Sequence, residues 1–381
     1  MSRLNDLIKE LFPNGVEYKK LEDCCNILDN KRKPVSKGVR ENGEYPYYGA
    51  NGIQDYINDY IFDGEYVLVG EDGSVQTANG TPVVNWAVGK IWVNNHAHII
   101  EEIDGVSLRY LYHYLQIVDV KDLIHGNIPK LNQGDFRNIK IAIPPIEVQK
   151  EIVKILDKFV ELEAELEAEL EVRKCQYEFW RGKLLFNPNY PIYKMEEICT
   201  INQGLQIPIN QRKKEPGENR YFYITVQFLK NEGENYYIEN PSESVICNKD
   251  DILVTRTGST GKIIYGVEGC FHNNFFKVTP IINLNKRYLY HILNSTQMFN
   301  EMLRVASGGT VPDLPHKKFY KLEIGLPSIE EQNKIVKTLD KFDKLVNDIT
   351  IGLLAEIELR RQQYEYYRNK LLSFEELSIS E

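Results

Sequence analysis

Apolar and polar residues alternate along this chain with two different periods. Two long stretches carry the helical one. In the first, Ile152, Ile155, Phe159, Leu162 and Leu166 recur at spacings of three and four; in the second, Ile335, Leu339, Phe342 and Leu345 do the same. Charged residues fill the positions between, which predicts two long helices with a coiled-coil seam. They open on Pro144-Pro145 and Pro327-Ser328, and place Glu147 or Glu330 in the first turn, where the helix dipole favours an anion. A unit of roughly 40 residues would reach about 60 Å at about 1.5 Å per residue, too long to lie on one small domain. The remaining sequence is strand-like. Short apolar runs at Tyr60–Phe62, Tyr66–Val69 and Lys90–Val93 are matched later by Arg220–Val226, Asp251–Val254, Lys262–Tyr265 and Phe275–Val278. Asp63-Gly64, Asp72-Gly73 and Asn79-Gly80 punctuate the first set as turns. Short helices are expected near Leu108–Ile117 and Arg287–Leu303.

The two periods themselves repeat. PPIEVQKEIVKILDKF (144–159) and PSIEEQNKIVKTLDKF (327–342) agree at 11 of 16 positions with an offset of 183. Upstream, Gly126-Asn127-Ile128-Pro129-Lys130-Leu131 faces Gly309-Thr310-Val311-Pro312-Asp313-Leu314 without a gap. Downstream, RKCQYEFWRGKLL (173–185) matches RRQQYEYYRNKLL (360–372) at 8 of 13 positions, now with an offset of 187, so the second copy holds four extra residues. Leu68-Val69 before Gly73-Ser74 parallels Leu253-Val254 before Gly258-Ser259. The expected architecture is α+β. Two similar globular domains, 1–140 and 187–323, are separated by two long antiparallel coiled-coil helices, 141–186 and 324–381, with pseudo-two-fold symmetry and a dumbbell shape. Within the first helix, Glu161–Glu171 reiterates a tetrapeptide, and each unit adds about one turn, roughly 6 Å. The first 12 residues read as a short amphipathic segment that mimics the end of a helix unit.

Composition narrows the class. The 381 residues are 42% hydrophobic and 27% charged, an ordinary globular balance. No run approaches the ~18 apolar residues of a membrane span, and the N-terminus is too charged for a signal peptide. The six cysteines form no Cys-x-x-Cys pair, so neither a zinc site nor a disulfide framework is expected, and a reducing cytoplasm fits. The net charge of −9 argues against nucleic acid until it is resolved by region: −5 over 1–140 but +2 over 187–323. A DNA site would be a local basic surface or would draw on a partner.

Catalytic signatures fail on spacing. Gly258–Lys262 lacks the phosphate-loop pattern, because Arg256 and Ile263 stand where Gly and Ser/Thr are needed. Asn187-Pro188-Asn189-Tyr190 departs from the methyltransferase tetrapeptide at Asn189 and reads as a domain-entry turn. His96-x-His98 could share a strand face, but no carboxylate or cysteine lies at ligand spacing in the sequence. The chain is therefore expected to be non-catalytic, with no metal. What remains are amide-rich and basic loops at equivalent places in both halves. Lys31, Arg32, Lys33, Tyr48, Asn51, Ser74, Gln76, Asn94, Asn95, His96 and Lys130 are the DNA-binding candidates of the first domain. Gln206, Gln211, Arg212, Lys213, Lys214, Arg256, Thr257, Ser259, Asn273, Asn274 and Lys317 are those of the second. Arg and Lys suit guanine edges and phosphates, and Asn and Gln suit adenine.

On the two helix-opening motifs, the Gly-x-x-Pro elements and the segments YPYYGANGIQDY (45–56), VLVGEDGSV (67–75) and IWVNNHAHII (91–100), the chain resembles the DNA-specificity subunits of type I restriction-modification systems over essentially its whole length. The resemblance implies two target recognition domains, each reading half of a bipartite double-stranded DNA target. The helices would set the unspecified spacer and dock methyltransferase subunits, two in number. Motor-nuclease restriction subunits would join that core. S-adenosylmethionine, ATP and magnesium would work in those partners, with none in this chain. A methyltransferase-only or type II-like assembly is the alternative. A protein-binding coiled-coil adaptor and a self-contained enzyme are readings of other classes.

Overall fold

In the computed structural model of the chain, residues 10–11, 14–229, 234–308, 311–347 and 352–377 are described. Most of the segment expected at the N-terminus, and Gly309-Thr310 of the second Gly-x-x-Pro element, lie outside them. The chain divides into two compact units, residues 1–166 with 357–381, and residues 167–356.

The first unit is built on a six-stranded sheet. Its strands are β2 (Asn26–Ile27), β3 (Asn42–Gly49), β4 (Gly52–Ile57), β5 (Phe62–Gly70), β6 (Val84–Val93) and β7 (Ala97–Glu101), in the spatial order β2-β7-β5-β6-β3-β4. Only the β3–β6 pair is parallel. The runs expected as separate strands at 60–62 and 66–69 form one continuous strand, because Gly64 is extended enough to carry the ladder through. Alternation along β5 sends Val67 and Val69 to one face, where they meet helix α1 (Leu108–Leu115), and Tyr66 and Leu68 to the other. A small ladder, β1 (Tyr18–Lys20) against β10 (Lys140–Ala142), closes the domain just before the long helix.

The second unit repeats this order. Its strands are β12 (Cys199–Gln203), β13 (Arg220–Ile224), β14 (Tyr237–Glu239), β16 (Ile252–Thr255), β17 (Ile263–Ile264), β18 (Gly269–Phe271) and β19 (Phe275–Pro280). They pair as β12-β19-β16-β17 and β14-β13-β18, the latter edged by β15 (Ile246–Cys247). Strand for strand this is the first domain's order, with β6 replaced by β17 and β18. Gly266, at φ 82°, lies in the break between them and parts the sheet in two. The parallel pair recurs as β13–β18, and the closing ladder as β11 (Ile192–Lys194) with β20 (Glu323–Gly325).

Each domain is fixed to its long helix by the same joint. Helix α1, LRYLYHYL, and its counterpart α6 (Lys286–Leu293), KRYLYHIL, share six of eight residues. The first long helix, α3 (Ile146–Leu185), is one uninterrupted element of 40 residues. In the first unit its Asp157 accepts from Arg109 Nε and His113 Nε2, each at 2.8 Å, while Tyr110 Oη donates to the Ala142 carbonyl at 2.8 Å. In the second, Asp340 of α9 (Ile329–Asn347) accepts from Arg287 Nε at 2.8 Å and His291 Nε2 at 2.7 Å, and Tyr288 Oη donates to Gly325 at 2.9 Å. Buried Gln149 accepts from Ser107 N and donates to the Pro144 and Gly105 carbonyls; buried Gln332 accepts from Asn285 N and donates to Pro327. The repeated Gln and Asp of the helix motif are thus joint residues. These matched donors and acceptors fix one orientation of domain on helix. The joints differ at the other ring nitrogen, where His113 Nδ1 meets Tyr364 Oη at 2.9 Å while the buried Nδ1 of His291 has no partner among the described residues.

Within the first unit the two long elements pack side by side. Phe159 stacks on Tyr367 and Glu163 accepts from Arg361, so one sequence rises as the other falls and the two run antiparallel. Tyr364 and Leu371 of α10 (Leu353–Leu372) join the core beside Ile152 and Leu156. In the second unit Tyr177 stacks on Phe342. Leu345, expected on the seam, is 39% exposed, and Val346 is buried in its place. Spacings of four, three and four from Ile335 through Leu339 and Phe342 reach residue 346, so the apolar stripe keeps its period and Leu345 falls outside it. Among the described residues the second long element forms two helices, α9 and α10, and the change of offset falls between residues 342 and 360. No helix among the described residues is long and apolar enough to cross a membrane.

Candidate nucleic-acid interface

Most of the loops singled out in the sequence converge at corresponding ends of the two sheets. In the first domain, residues 29–33, 48–54, 71–76, 92–98 and 129–132 meet where β5 and β6 end and β7 begins. The backbone ties them together: Lys33 N donates to Val93 O, Asn94 N to Tyr48 O, Glu71 N to His96 O and Gly73 N to Pro129 O. In the second, Arg256 N donates to Asn274 O, Leu314 N to Arg256 O and His272 N to Ile224 O. Gly73 and Gly258 sit at φ 80° and 81° in corresponding turns, a conformation that disfavours any side chain at the tip of each cluster.

Placement sorts the first domain's candidates. Arg32 is mostly buried. Its Nη1 donates to Glu71 Oε2 and to the Ala97 carbonyl, both at 2.6 Å, and its Nε donates to the Asp29 carbonyl at 2.9 Å. Lys130 pairs with Glu71 at 3.2 Å, and His96 pairs with Asp72. Asn94 is 2% exposed, its Oδ1 accepting from His96 N and its amide donating to Gln54. Tyr48 is buried as well, and burial pushes its phenol up. Lys31, Lys33, Asn51, Ser74, Gln76 and Asn95 are exposed.

Beneath this surface lies a buried network the sequence did not announce. His98, fully buried, directs Nδ1 to Asp29 Oδ2 at 2.6 Å and Nε2 to the Leu131 carbonyl at 2.9 Å, and stacks on Phe136. Carboxylates from positions 29, 71 and 72 therefore surround the His pair; chain topology brings them in from far away along the sequence. Asp29, Glu71 and His98 have the composition of a metal triad. Both ring nitrogens are engaged by protein oxygens, however, and Arg32 and Lys130 supply the balancing positive charge, so the cluster is an internal ion network. At Asp29, burial would raise the carboxyl pKa, but the hydrogen bond from His98 and the adjacent positive charge prevail and hold it below the usual range. The second domain replaces the same pair by Phe276 packed edge-on against Phe319.

The second domain's candidates are freer. Lys213 and Lys214 make exposed pairs with Glu239 and Glu234, at 3.9 and 2.8 Å, of the kind worth about 0–1 kcal/mol and readily exchanged for phosphate. Gln206 accepts from Asn273 Nδ2 at 3.4 Å. Gln211 and Lys317 are exposed, and Thr257 and Ser259 are half-buried in the turn after β16. Arg256 is held by Asp313 through Nε at 2.7 Å and Nη2 at 3.1 Å. That pair answers Glu71–Lys130 with the charges exchanged: Glu71 and Arg256 follow the same Leu-Val, and Lys130 and Asp313 follow the same proline of the Gly-x-x-Pro element.

A residue the sequence reading passed over, Arg40, explains Arg212. Arg40 Nε donates to Val35 O at 3.0 Å, and Val35 N donates to Tyr47 Oη, over whose ring the guanidinium lies at 4.0 Å. Arg212 Nε donates to Ile207 O at 2.9 Å, and Ile207 N donates to Tyr223 Oη, with the guanidinium 5.0 Å from that ring. The signal was present: in each half a Val or Ile precedes an Arg by five residues, with a buried Tyr further on.

A family described as the type I restriction modification DNA specificity domain matches twice, over residues 13–172 and 187–359. A putative type I restriction enzyme specificity subunit of Haemophilus influenzae is 36% identical, over 97% of this chain and 98% of its own length. The EcoR124I/EcoR124II specificity subunit of Escherichia coli is 34% identical over 70% of this chain and 71% of its own. Among solved structures, the S subunit of a type I restriction-modification system from M. genitalium superposes with a TM-score of 0.56 at 16% identity, covering 94% of this chain and 96% of that one. A chain from a study of complex assembly in the type I system gives 0.61 at 12% identity, covering 94% and 98%.

Proposed function

The chain belongs to the type I restriction-modification DNA specificity family, and on that premise we propose how its parts divide the work of target recognition. It is the sequence-specific DNA-binding subunit of such a complex. Each globular domain, 1–140 and 187–323, reads one half of an asymmetric bipartite target. The helices, 141–186 and 324–381, set the spacer between the halves and carry two methyltransferase subunits, to which motor-nuclease subunits add. S-adenosylmethionine, ATP and magnesium act in those partners, in the cytoplasm, and this chain contributes no catalytic group.

The observation that carries this reading is a duplicated fold whose corresponding loop clusters differ in chemistry. Glu71–Lys130 stands where the second copy has Arg256–Asp313, and His98–Phe136 where it has Phe276–Phe319. One scaffold with two unlike reading surfaces suits two unlike half-sites, and linking them makes the second engagement intramolecular. Within the surfaces, Lys31, Lys33, Lys213, Lys214 and Lys317 suit phosphates, whereas Arg32 and Asn94 support the loops from inside. Methylome sequencing of cells expressing the chain with its methyltransferase partner tests the reading. A bipartite methyladenine motif that disappears when this chain is deleted is expected. No motif, with both proteins present, would overturn it.

A further inference from the structure

Arg212 lines a cavity of about 330 Å³ in the second domain, together with Thr225, Gln227, His272 and Asn274. Liquid water would fill that space with about ten molecules at roughly 30 Å³ each, comparable to the heavy atoms of a purine base. The Arg212 side chain is fixed before anything binds. Nε is bonded to Ile207 O, and the guanidinium lies 5.0 Å from the Tyr223 ring and 5.5 Å from that of Tyr236. Among the described residues no acceptor takes its two terminal amino groups. In the first domain the corresponding Arg40 has the same Nε bond, but its Nη1 is taken by Asp55 at 3.2 Å. Asp55 pairs with Tyr47 across its hairpin, the position that Tyr236 occupies opposite Tyr223. The second domain therefore keeps the anchored arginine and lacks the neutralising carboxylate.

The rest of the lining agrees. His272 Nδ1 accepts from Asn274 N at 3.1 Å. Burial, and then the charge of Arg212, hold the imidazole below its usual pKa, so the neutral ring carries its proton on Nε2 as a donor. Among the described residues, no acidic side chain lines the cavity. An oriented guanidinium fork beside a neutral donor fits a ligand edge bearing two adjacent acceptors. On duplex DNA that edge is O6 and N7 of guanine.

We propose that the Arg212 cavity is the specificity-determining pocket of the second domain and that it reads a guanine in its half-site; this rests on the DNA-specificity reading above. Arg212 supplies the bidentate contact, and the Nε bond and tyrosine faces hold it in place.

The test uses the full chain with its methyltransferase partner and compares the methylomes of wild type, Arg212→Lys and Tyr236→Asp. The second variant leaves Arg212 intact but supplies the carboxylate that the first domain has. A wild-type complex without a bipartite motif would defeat the specificity reading itself. Given a motif, both variants are expected to accept other bases at one guanine of a single half-site. Discrimination there should fall about ten- to hundredfold, with the other half-site and the spacer unchanged. An unchanged motif with uniformly weaker methylation and a shallower salt dependence of binding would overturn the proposal and make Arg212 a phosphate clamp. So would complete loss of methylation by either variant at an unchanged melting temperature.

Discussion

Asp29 shows how far a residue's role depends on what the fold brings to it. In the sequence it is one acid in a polar turn; in the fold it accepts hydrogen bonds from His98, Gln133 and Ile99 N while Arg32 lies beside it. Its carboxyl is held below the usual range, so its contribution to stability is present above the unfolded value near pH ~4 and is lost as the pH falls through the lowered native value. Unfolding free energy measured against pH should therefore drop more steeply below about pH 4 for the wild type than for Asp29→Asn; equal slopes would dismiss the network as a source of acid sensitivity. The exchanged ion pairs give a second expectation at this scale. Arg256→Glu leaves Asp313 facing a like charge and should cost about 1–2 kcal/mol. Adding Asp313→Lys recreates the first domain's polarity and should recover most of that loss in a double-mutant cycle followed by chemical denaturation. No recovery would mean that Arg256 and Asp313 do not act as a pair.

Elements depend on joints as much as on propensity. The periodicity of the PxIExQ motif forecasts a helix, but its Gln and Asp have no reason to recur in an exposed helix. They recur because Gln149 and Gln332 satisfy the start of a second helix, and Asp157 and Asp340 hold its Arg and His. His113 and His291 are both kept below the usual imidazole pKa, by burial first, so at neutral pH each donates through Nε2 to its aspartate as a neutral ring. Gln149→Leu would leave Ser107 N and the Pro144 carbonyl without their partner inside the joint. The expected cost is roughly 2–3 kcal/mol. Thermal unfolding would give that loss, and hydrogen exchange at Ser107 would show whether it arises locally; unchanged protection there would count against the joint.

For the whole molecule, the proposal that the helices set the spacer makes its length a variable that the sequence can change. Duplicating the tetrapeptide Glu165–Ala168 adds about one helical turn, roughly 6 Å, close to two base-pair steps of about 3.4 Å. The methylated motif should keep both half-sites while its spacer lengthens by about two base pairs. Loss of half-site identity instead would show that the helix shapes the domains rather than spacing them.

The sequence by itself determined the duplicated α+β plan, because that information is periodic and local. Apolar spacing marks the helices, Gly and Asp punctuation marks the strand ends, and an 11-of-16 repeat announces two copies of one plan. It also located the loops, since polar residues between strands must lie at sheet ends. Only the tertiary structure decided what each loop residue can do. Arg32 and Lys31 are neighbours of like charge, yet Arg32 is clamped by Asp29 and Glu71 while Lys31 is exposed. Arg40 and Arg212 occupy the same turn, yet among the described residues only Arg40 meets a carboxylate. Partners 39 or 15 residues away decide both cases, and the energy of a charge depends on what lies within a few ångströms of it. No local pattern records that distance.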